Sequence, residues 1–192
     1  MTPKQSNNKN QSPENRKVIL YIAMSLDGFI ADKNDDLDFL SLVESEGEDY
    51  GYHDFTNTVD TVIIGRKTYN KVLALGFDYP HTDKDVYIIT RTPQSPTGTF
   101  QFYSKPLTEL IIQLKSKNGK HIYCDGGAEI VNELLNHNLI DELIISVIPI
   151  LLGEGRKLFH SRRPEMKLQL ISTKEFKSGL VQLHYQKDNT ST

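Results

Sequence analysis

The sequence predicts an α/β domain: parallel strands covered by helices on both faces, finished by antiparallel strands at the C-terminal end. Three observations predict it. Short unbroken apolar runs rich in β-formers recur along the chain, as strands buried on both faces require. Between them lie segments whose apolar residues recur at three- and four-residue spacing, the mark of a helix with one buried stripe. The last third turns to alternating patterns around a glycine, which read as an antiparallel hairpin.

In chain order, Val18 to Met24 is the first apolar run, and Ser25-Leu26-Asp27-Gly28 turns out of it. A short helix is expected within Asp49 to Asn57, then a strand at Thr61 to Gly65 and a second short helix after Arg66. Val86 to Ile89 is the next strand. Leu107 to Lys117 carries Leu107, Leu110, Ile111 and Leu114 on one stripe. His121 to Cys124 is a strand ending at Asp125-Gly126-Gly127, and Ala128 to Asn136 is a helix with Ile130, Val131, Leu134 and Leu135 inward. Glu142 to Leu151 reads as a strand, and Leu168 to Glu175 and Val181 to Gln186 flank Lys177-Ser178-Gly179 as the hairpin. Residues 1–16 are polar enough to stay a disordered tail, 17–186 form one domain, and 187–192 are a second short tail.

Composition narrows the function classes. The chain has 192 residues, a net charge of −3, 38% hydrophobic and 24% charged residues, which suits one soluble globular domain. The balanced charge argues against nucleic acid as a partner. No apolar run approaches the ~20 residues that span a membrane. With a single cysteine, Cys124, neither an internal disulfide nor a cysteine-rich zinc site can be built. That usage fits a reducing, cytoplasmic compartment. The histidines show no His-x-x-x-His or Glu-x-x-His spacing, so no metal is expected. Asp32, Asp35, Asp36 and Asp38 form an acidic loop that lacks EF-hand spacing.

Chemistry gathers at strand ends. Cys124-Asp125-Gly126-Gly127-Ala128-Glu129 is a strand, two glycines and a helix start, a place where free N–H groups can hold an anion or where glycine serves a tight turn. Gly65-Arg66-Lys67-Thr68 offers two cations and a hydroxyl after another strand, and Thr90-Arg91 follows a third. Neither a Rossmann fingerprint nor a P-loop is present. Ligands of open α/β sheets bind beyond the carboxyl ends of strands. If these strands are parallel neighbours, the three segments meet, and their charge exceeds the need of one pyrophosphate.

Together with Ala23-Met24-Ser25-Leu26-Asp27-Gly28-Phe29-Ile30 and Ile148-Pro149-Ile150-Leu151-Leu152-Gly153-Glu154-Gly155-Arg156-Lys157-Leu158-Phe159, these segments resemble the dihydrofolate reductase-like fold. The resemblance is nearest to the C-terminal reductase domain of the bacterial bifunctional riboflavin deaminase-reductase, over about residues 17 to 186. It implies a mixed sheet of about eight strands flanked by helices, with NADPH across the strand ends. It also implies that Gly65, Arg66, Lys67 and Thr68 hold the pyrophosphate and adenosine-side phosphate. Thr90 and Arg91 would hold the 2′-phosphate and adenosine. Gly126, Gly127, Ala128 and Glu129 would cover the pyrophosphate, with Glu129 pointing outward, and Ala23 would lie by the nicotinamide. Two departures are visible: the first strand has no lysine inside it, Lys17 lying before it, and the deaminase half with its zinc motifs is absent.

The implied activity is NADPH-dependent hydride transfer to a small heterocyclic or sugar-derived substrate, of the riboflavin-biosynthesis reductase type. A pterin reductase of the dihydrofolate type and a non-catalytic nucleotide-binding protein are the alternatives. Asp27 and Asp49 are the catalytic candidates for the proton that follows the hydride, with Tyr52 and His53 beside them. The family implies a homodimer, for which Leu143 to Leu152 offers an apolar stretch that could equally be a central strand.

Overall fold

The computed structural model describes residues 16–74, 76 and 78–188. Its strands are β1 (Val18–Ser25), β2 (Phe29–Ala31), β3 (Val59–Gly65), β4 (Asp85–Ile89), β5 (Phe100–Tyr103), β6 (His121–Gly126), β7 (Glu142–Ile148), β8 (Arg156–Lys157), β9 (Leu168–Glu175) and β10 (Val181–Lys187). The helices are α1 (Tyr52–Asn57), α2 (Arg66–Ala74), α3 (Leu107–Lys115) and α4 (Ala128–Asn136), and a 3₁₀ turn spans Asp38–Val43.

One eight-stranded sheet carries the fold, in the order β5-β4-β3-β6-β1-β7-β10-β9. The six strands from β5 to β7 are parallel, and β10 and β9 complete the sheet antiparallel. Period-two alternation divides each central strand between two cores. Leu20, Ile63, Ile122 and Cys124 pack under α3 and α4, while Ile19, Val62, Ile64, Val86 and Tyr123 face Phe55 and Tyr79 on the other side. Val62, Ile63 and Ile64 are fully buried, which is why this stretch reads as an unbroken apolar run. Each such side chain contributes about 1.5–3 kcal/mol by leaving water.

The structure changes several boundaries. β7 stops at Ile148 because Pro149 has no N–H for the ladder. It lies between β1 and β10, so Leu143–Ile148 is interior and presents no free edge for a dimer. Arg16, placed with the tail by composition, is 4% exposed. It donates to the carbonyls of Lys120 and Leu114 and to Thr61 Oγ1, and pairs with Asp60. Lys187 belongs to β10, and the Asp188 N–H reaches the Lys167 carbonyl. The rest of the two expected tails, 1–15 and 189–192, lies outside the described residues. β2, β5 and β8 were not anticipated; among the described residues β2 and β8 form a separate two-stranded sheet.

Candidate active site

β4, β3 and β6 are parallel neighbours, so their carboxyl ends reach one edge of the sheet. Gly65 pairs with Ile89, the residue before Thr90, and Ile64 pairs with Gly126. A cleft of about 1380 Å³ opens at this edge. Ala23, Gly65, Arg66, Lys67, Thr68, Thr90, Arg91, Gly127, Ala128 and Glu129 all line it, with Gly126 buried behind. The convergence expected from strand-end positions is therefore present. Glu129, at the first turn of α4, is exposed and lines the cleft, close enough to Arg156 to raise that guanidinium's pKa as a lesser contribution after Asp35.

Glycine is needed where these segments touch. Gly126 has φ +99°, a conformation side chains disfavour. A Cβ on Gly127 would lie 2.8 Å from Thr68 Oγ1, the atom that accepts the Gly127 N–H at 3.1 Å. A Cβ on Gly65 would lie 3.2 Å from Ile130 Cγ1.

Six Lys and Arg side chains line the cleft against four carboxylates, Asp35, Asp125, Glu129 and Glu133, so its lining is net cationic. The Arg66 guanidinium donates to Gln94 Oε1 at 2.6 Å and lies 4.8 Å from the Phe102 ring centroid, which fixes its plane across the strand ends. Arg156 grips Asp35 with two hydrogen bonds, 2.8 and 2.6 Å, and holds that carboxyl below its ordinary range. Lys67, Lys71, Arg91 and Lys105 line the cleft with no ion pair or side-chain hydrogen bond among the described residues. Cations without protein partners, beside backbone that a side chain would obstruct, suit a polyphosphate. Lys71, one helical turn after Lys67, was legible from spacing and was missed; Lys105 and Arg156 come from distant loops and were not.

A second chamber of about 580 Å³ adjoins the first, and Tyr21, Ala23 and Leu40 line both. Asp49 sits at this chamber, but its carboxylate accepts the N–H groups of Gly51 and His53 at 2.8 and 2.9 Å and so starts α1. The bond from His53 first, then that from Gly51, holds its pKa low. Asp27 lines neither cavity. It accepts Ser25 Oγ at 2.6 Å and the N–H groups of Leu152 and Gly153 at 3.1 and 2.7 Å, tying the first turn to the loop after β7. The Ser25 bond, then the two N–H groups, depress its pKa. Both sequence candidates are thus ionised acceptors that brace the backbone, poor geometry for delivering a proton.

Between the two cavities lies a polar cluster that sequence reasoning did not assemble. Tyr52 Oη is 2.9 Å from His81 Nε2. Tyr123 and Tyr79 donate to the two carboxylate oxygens of Asp125 at 2.8 and 2.5 Å. Burial, with the Asp125 charge second, pushes the pKa of Tyr52, Tyr79 and Tyr123 up. Burial pushes that of His81 down, so the imidazole is neutral near pH 7. Tyr123 and Asp125 border the cationic cleft and Tyr52 borders the second chamber. Among the described residues, no cluster of three or more His, Cys, Asp or Glu could hold a metal ion, and no helix is long and apolar enough to cross a membrane.

A parallel sheet closed by an antiparallel hairpin, with a ligand cleft at the strand ends, defines the dihydrofolate reductase-like class. Dihydrofolate reductase from Enterococcus faecalis, complexed with NADP(H) and RAB-propyl, shares the fold with a TM-score of 0.63 at 17% identity, over 90% of this chain and 97% of that one. Within that class the chain belongs to the RibD C-terminal domain family, which matches residues 16–182. Protein YwjB of Bacillus subtilis strain 168, itself uncharacterised, is 46% identical over 171 residues, covering 88% of this chain and 97% of its own. A solved structure from Shewanella sp. PV-4, of a candidate riboflavin biosynthesis protein, has a TM-score of 0.82 and 32% identity, over 90% of this chain and 99% of that one.

Proposed function

We propose that this protein is an NADPH-dependent reductase that transfers hydride to a small heterocyclic or sugar-derived substrate, in the manner of the riboflavin-biosynthesis reductases. The single observation that carries the reading is the meeting of Arg66, Lys67, Thr68, Arg91 and Gly127, from three strand ends, in one cleft. Membership of the RibD C-terminal domain family supports it.

Arg66, Lys67 and Thr68 hold the pyrophosphate, the Gly126-Gly127 corner lets it approach the backbone, and Thr90 and Arg91 take the 2′-phosphate. Bound NADPH supplies the hydride from C4 of its nicotinamide. Ala23, common to both cavities, leaves room for the nicotinamide against the second chamber. Tyr52, rather than Asp27 or Asp49, is the proton donor: the residue lines the second chamber, burial keeps its hydroxyl protonated, and His81 Nε2 holds that hydroxyl at 2.9 Å. Asp27 positions the loop after β7 and Asp49 positions α1.

Fluorescence titration with NADPH tests the reading directly. Micromolar binding, lost in the Arg66→Ala/Arg91→Ala double variant, supports it; no binding by the folded wild-type chain overturns it. NADPH oxidation with pyrimidine, pterin and flavin-precursor acceptors separates a reductase from a nucleotide-binding protein. We further propose a homodimer formed through the free edge of β9, where Leu168, Leu170 and Ile171 are 41–51% exposed; a monomeric mass by light scattering would reject it.

A further inference from the structure

An ion pair stands at the wall of the cationic cleft. β2 and β8 pair antiparallel, with Ala31 opposite Arg156 and Phe29 opposite Lys157. A Cβ on Gly155 would collide with the Ala31 carbonyl, so glycine there lets the two strands approach and sets Arg156 beside the loop after β2. That loop is tightly wound. Asp32 Oδ1 accepts the N–H groups of Asn34 and Asp36, each at 2.7 Å, and the Asp35 N–H reaches the Asp32 carbonyl at 3.1 Å. Asp35 itself adopts φ +66°, a left-handed conformation that Asp and Asn tolerate better than most side chains. The turn brings its carboxylate to Arg156 Nε and Nη2, at 2.8 and 2.6 Å.

Both partners line the cleft, together with Lys67 and Lys71 of α2. The Asp35 carboxyl is drawn below its ordinary range first by the hydrogen bond from Arg156 and, in smaller measure, by the charges of Lys71 and Lys67. On its other side Arg156 feels the charge of Glu129, at the first turn of α4 beside the Gly126-Gly127 corner. One carboxylate thus meets cations of α2 and β8 together, as a bridging phosphate would. Its hold is weak: the Arg156 and Asp35 side chains are 40% and 55% exposed, and an ion pair so open to water adds little stability. A phosphate accepts the guanidinium fork as well as a carboxylate does, and brings its own charge to the two lysines.

Resting on the reductase reading above, we propose that Arg156 is a further ligand of the cofactor pyrophosphate and that Asp35 is the internal counterion it must leave. Carboxylate and phosphate compete for one guanidinium, and Asp35 thereby holds cofactor affinity down.

Fluorescence titration of the full chain with NADPH tests this as a double-variant cycle. Asparagine keeps the left-handed turn and removes the charge, so Asp35→Asn should tighten NADPH at least about threefold at low salt. The gain should fade at high salt, where an exposed charge is screened. Arg156→Ala should weaken NADPH, and by a larger factor in the Asp35→Asn background, where the guanidinium has no carboxylate to leave. Inorganic pyrophosphate, read by its displacement of NADPH, should rank the four proteins in the same order. A carboxylate that merely braces the loop predicts the opposite sign, since its loss would loosen the cleft wall. Asp35→Asn that binds NADPH no better than wild type, or that lowers the urea midpoint and binds more weakly, overturns the proposal and leaves the reductase reading standing. An Arg156→Ala loss no larger in the Asn background does the same. No NADPH binding by the wild-type chain overturns that reading, and this proposal with it.

Discussion

The hydroxyl of Tyr52 and Nε2 of His81 face each other at 2.9 Å across the gap between α1 and the loop before β4. Tyr79 and Tyr123 enclose the imidazole with ring centroids at 5.4 and 5.7 Å. The pair thereby sits in a water-poor wall between the chambers. If Tyr52 delivers the proton, Tyr52→Phe should lower kcat by about a hundredfold, the lower end of what a positioned general acid contributes. NADPH affinity, read by fluorescence, should stay unchanged. Equal losses in both would make Tyr52 a packing residue.

Burial disfavours the charged imidazole of His81, so the folded chain binds its proton less readily than the unfolded one. The stability this neutral histidine contributes is fully present above the ordinary histidine value of about 6.5 and is lost as pH falls through the lower folded value. His81→Gln should therefore flatten the urea midpoint between pH 7 and pH 5. A midpoint slope identical to wild type in that window would contradict it.

Arg66→Ala and Arg91→Ala should each weaken NADPH about tenfold to a hundredfold, the range for one charge-assisted hydrogen bond. They should differ in selectivity. Arg91→Ala should bring NADPH and NADH affinities together, since Arg91 lines the cleft with no ion pair or side-chain hydrogen bond among the described residues and can take the 2′-phosphate. Arg66→Ala, which also loses the Phe102 and Gln94 contacts, should weaken both cofactors. Paired titrations with the two cofactors measure the difference.

Asn132 is 4% exposed and fully used. Its Nδ2 donates to the carbonyls of Ala128 and Leu158 at 2.7 and 2.8 Å, and Oδ1 accepts the His160 N–H at 2.8 Å. Asn132→Ala strands the buried Leu158 carbonyl and takes the acceptor from the part-buried His160 N–H, so it should cost about 3 kcal/mol. For a domain of this size that lowers Tm by about 10 °C. Calorimetry reads it, and a shift of a degree or two would mean the loop at Leu158 relaxes freely.

Glu142 is held by Lys17 Nζ at 2.6 Å and His184 Nε2 at 2.9 Å. Burial alone would raise its pKa, but the bonds from Lys17 and His184 outweigh it and the net shift is downward. The stability it contributes is present above the ordinary glutamate value of about 4.3 and is lost as pH falls through the lower folded value. Glu142→Gln should destabilise the protein at pH 7 and make little difference at pH 3. An equal deficit at both pH values, by urea denaturation, would refute the assignment.

The parallel core, the C-terminal hairpin and the meeting of three strand ends in one cleft were legible because each rests on a local pattern. A doubly buried strand must be apolar throughout, a stripe must follow the helical turn, and glycines must stand where backbone approaches backbone. β5 was missed because Phe100–Tyr103 follows a stretch of Thr, Pro and Gly that reads as loop, and β2 and β8 because three and two residues carry no period. Asp27 and Asp49 looked catalytic because a sequence shows a carboxylate without its partners; folding gives both to backbone N–H groups. Tyr52, Tyr79, His81, Tyr123 and Asp125 come from α1, the loop before β4, and β6, and no periodicity links them. By itself the sequence determined the sheet, its covering helices and the glycine-and-cation edge, since short-range chemistry encodes these. Only the tertiary structure decided which tyrosine meets which histidine, and that Tyr21, Ala23 and Leu40 wall two adjoining cavities, because such juxtapositions arise only once distant segments share a sheet edge.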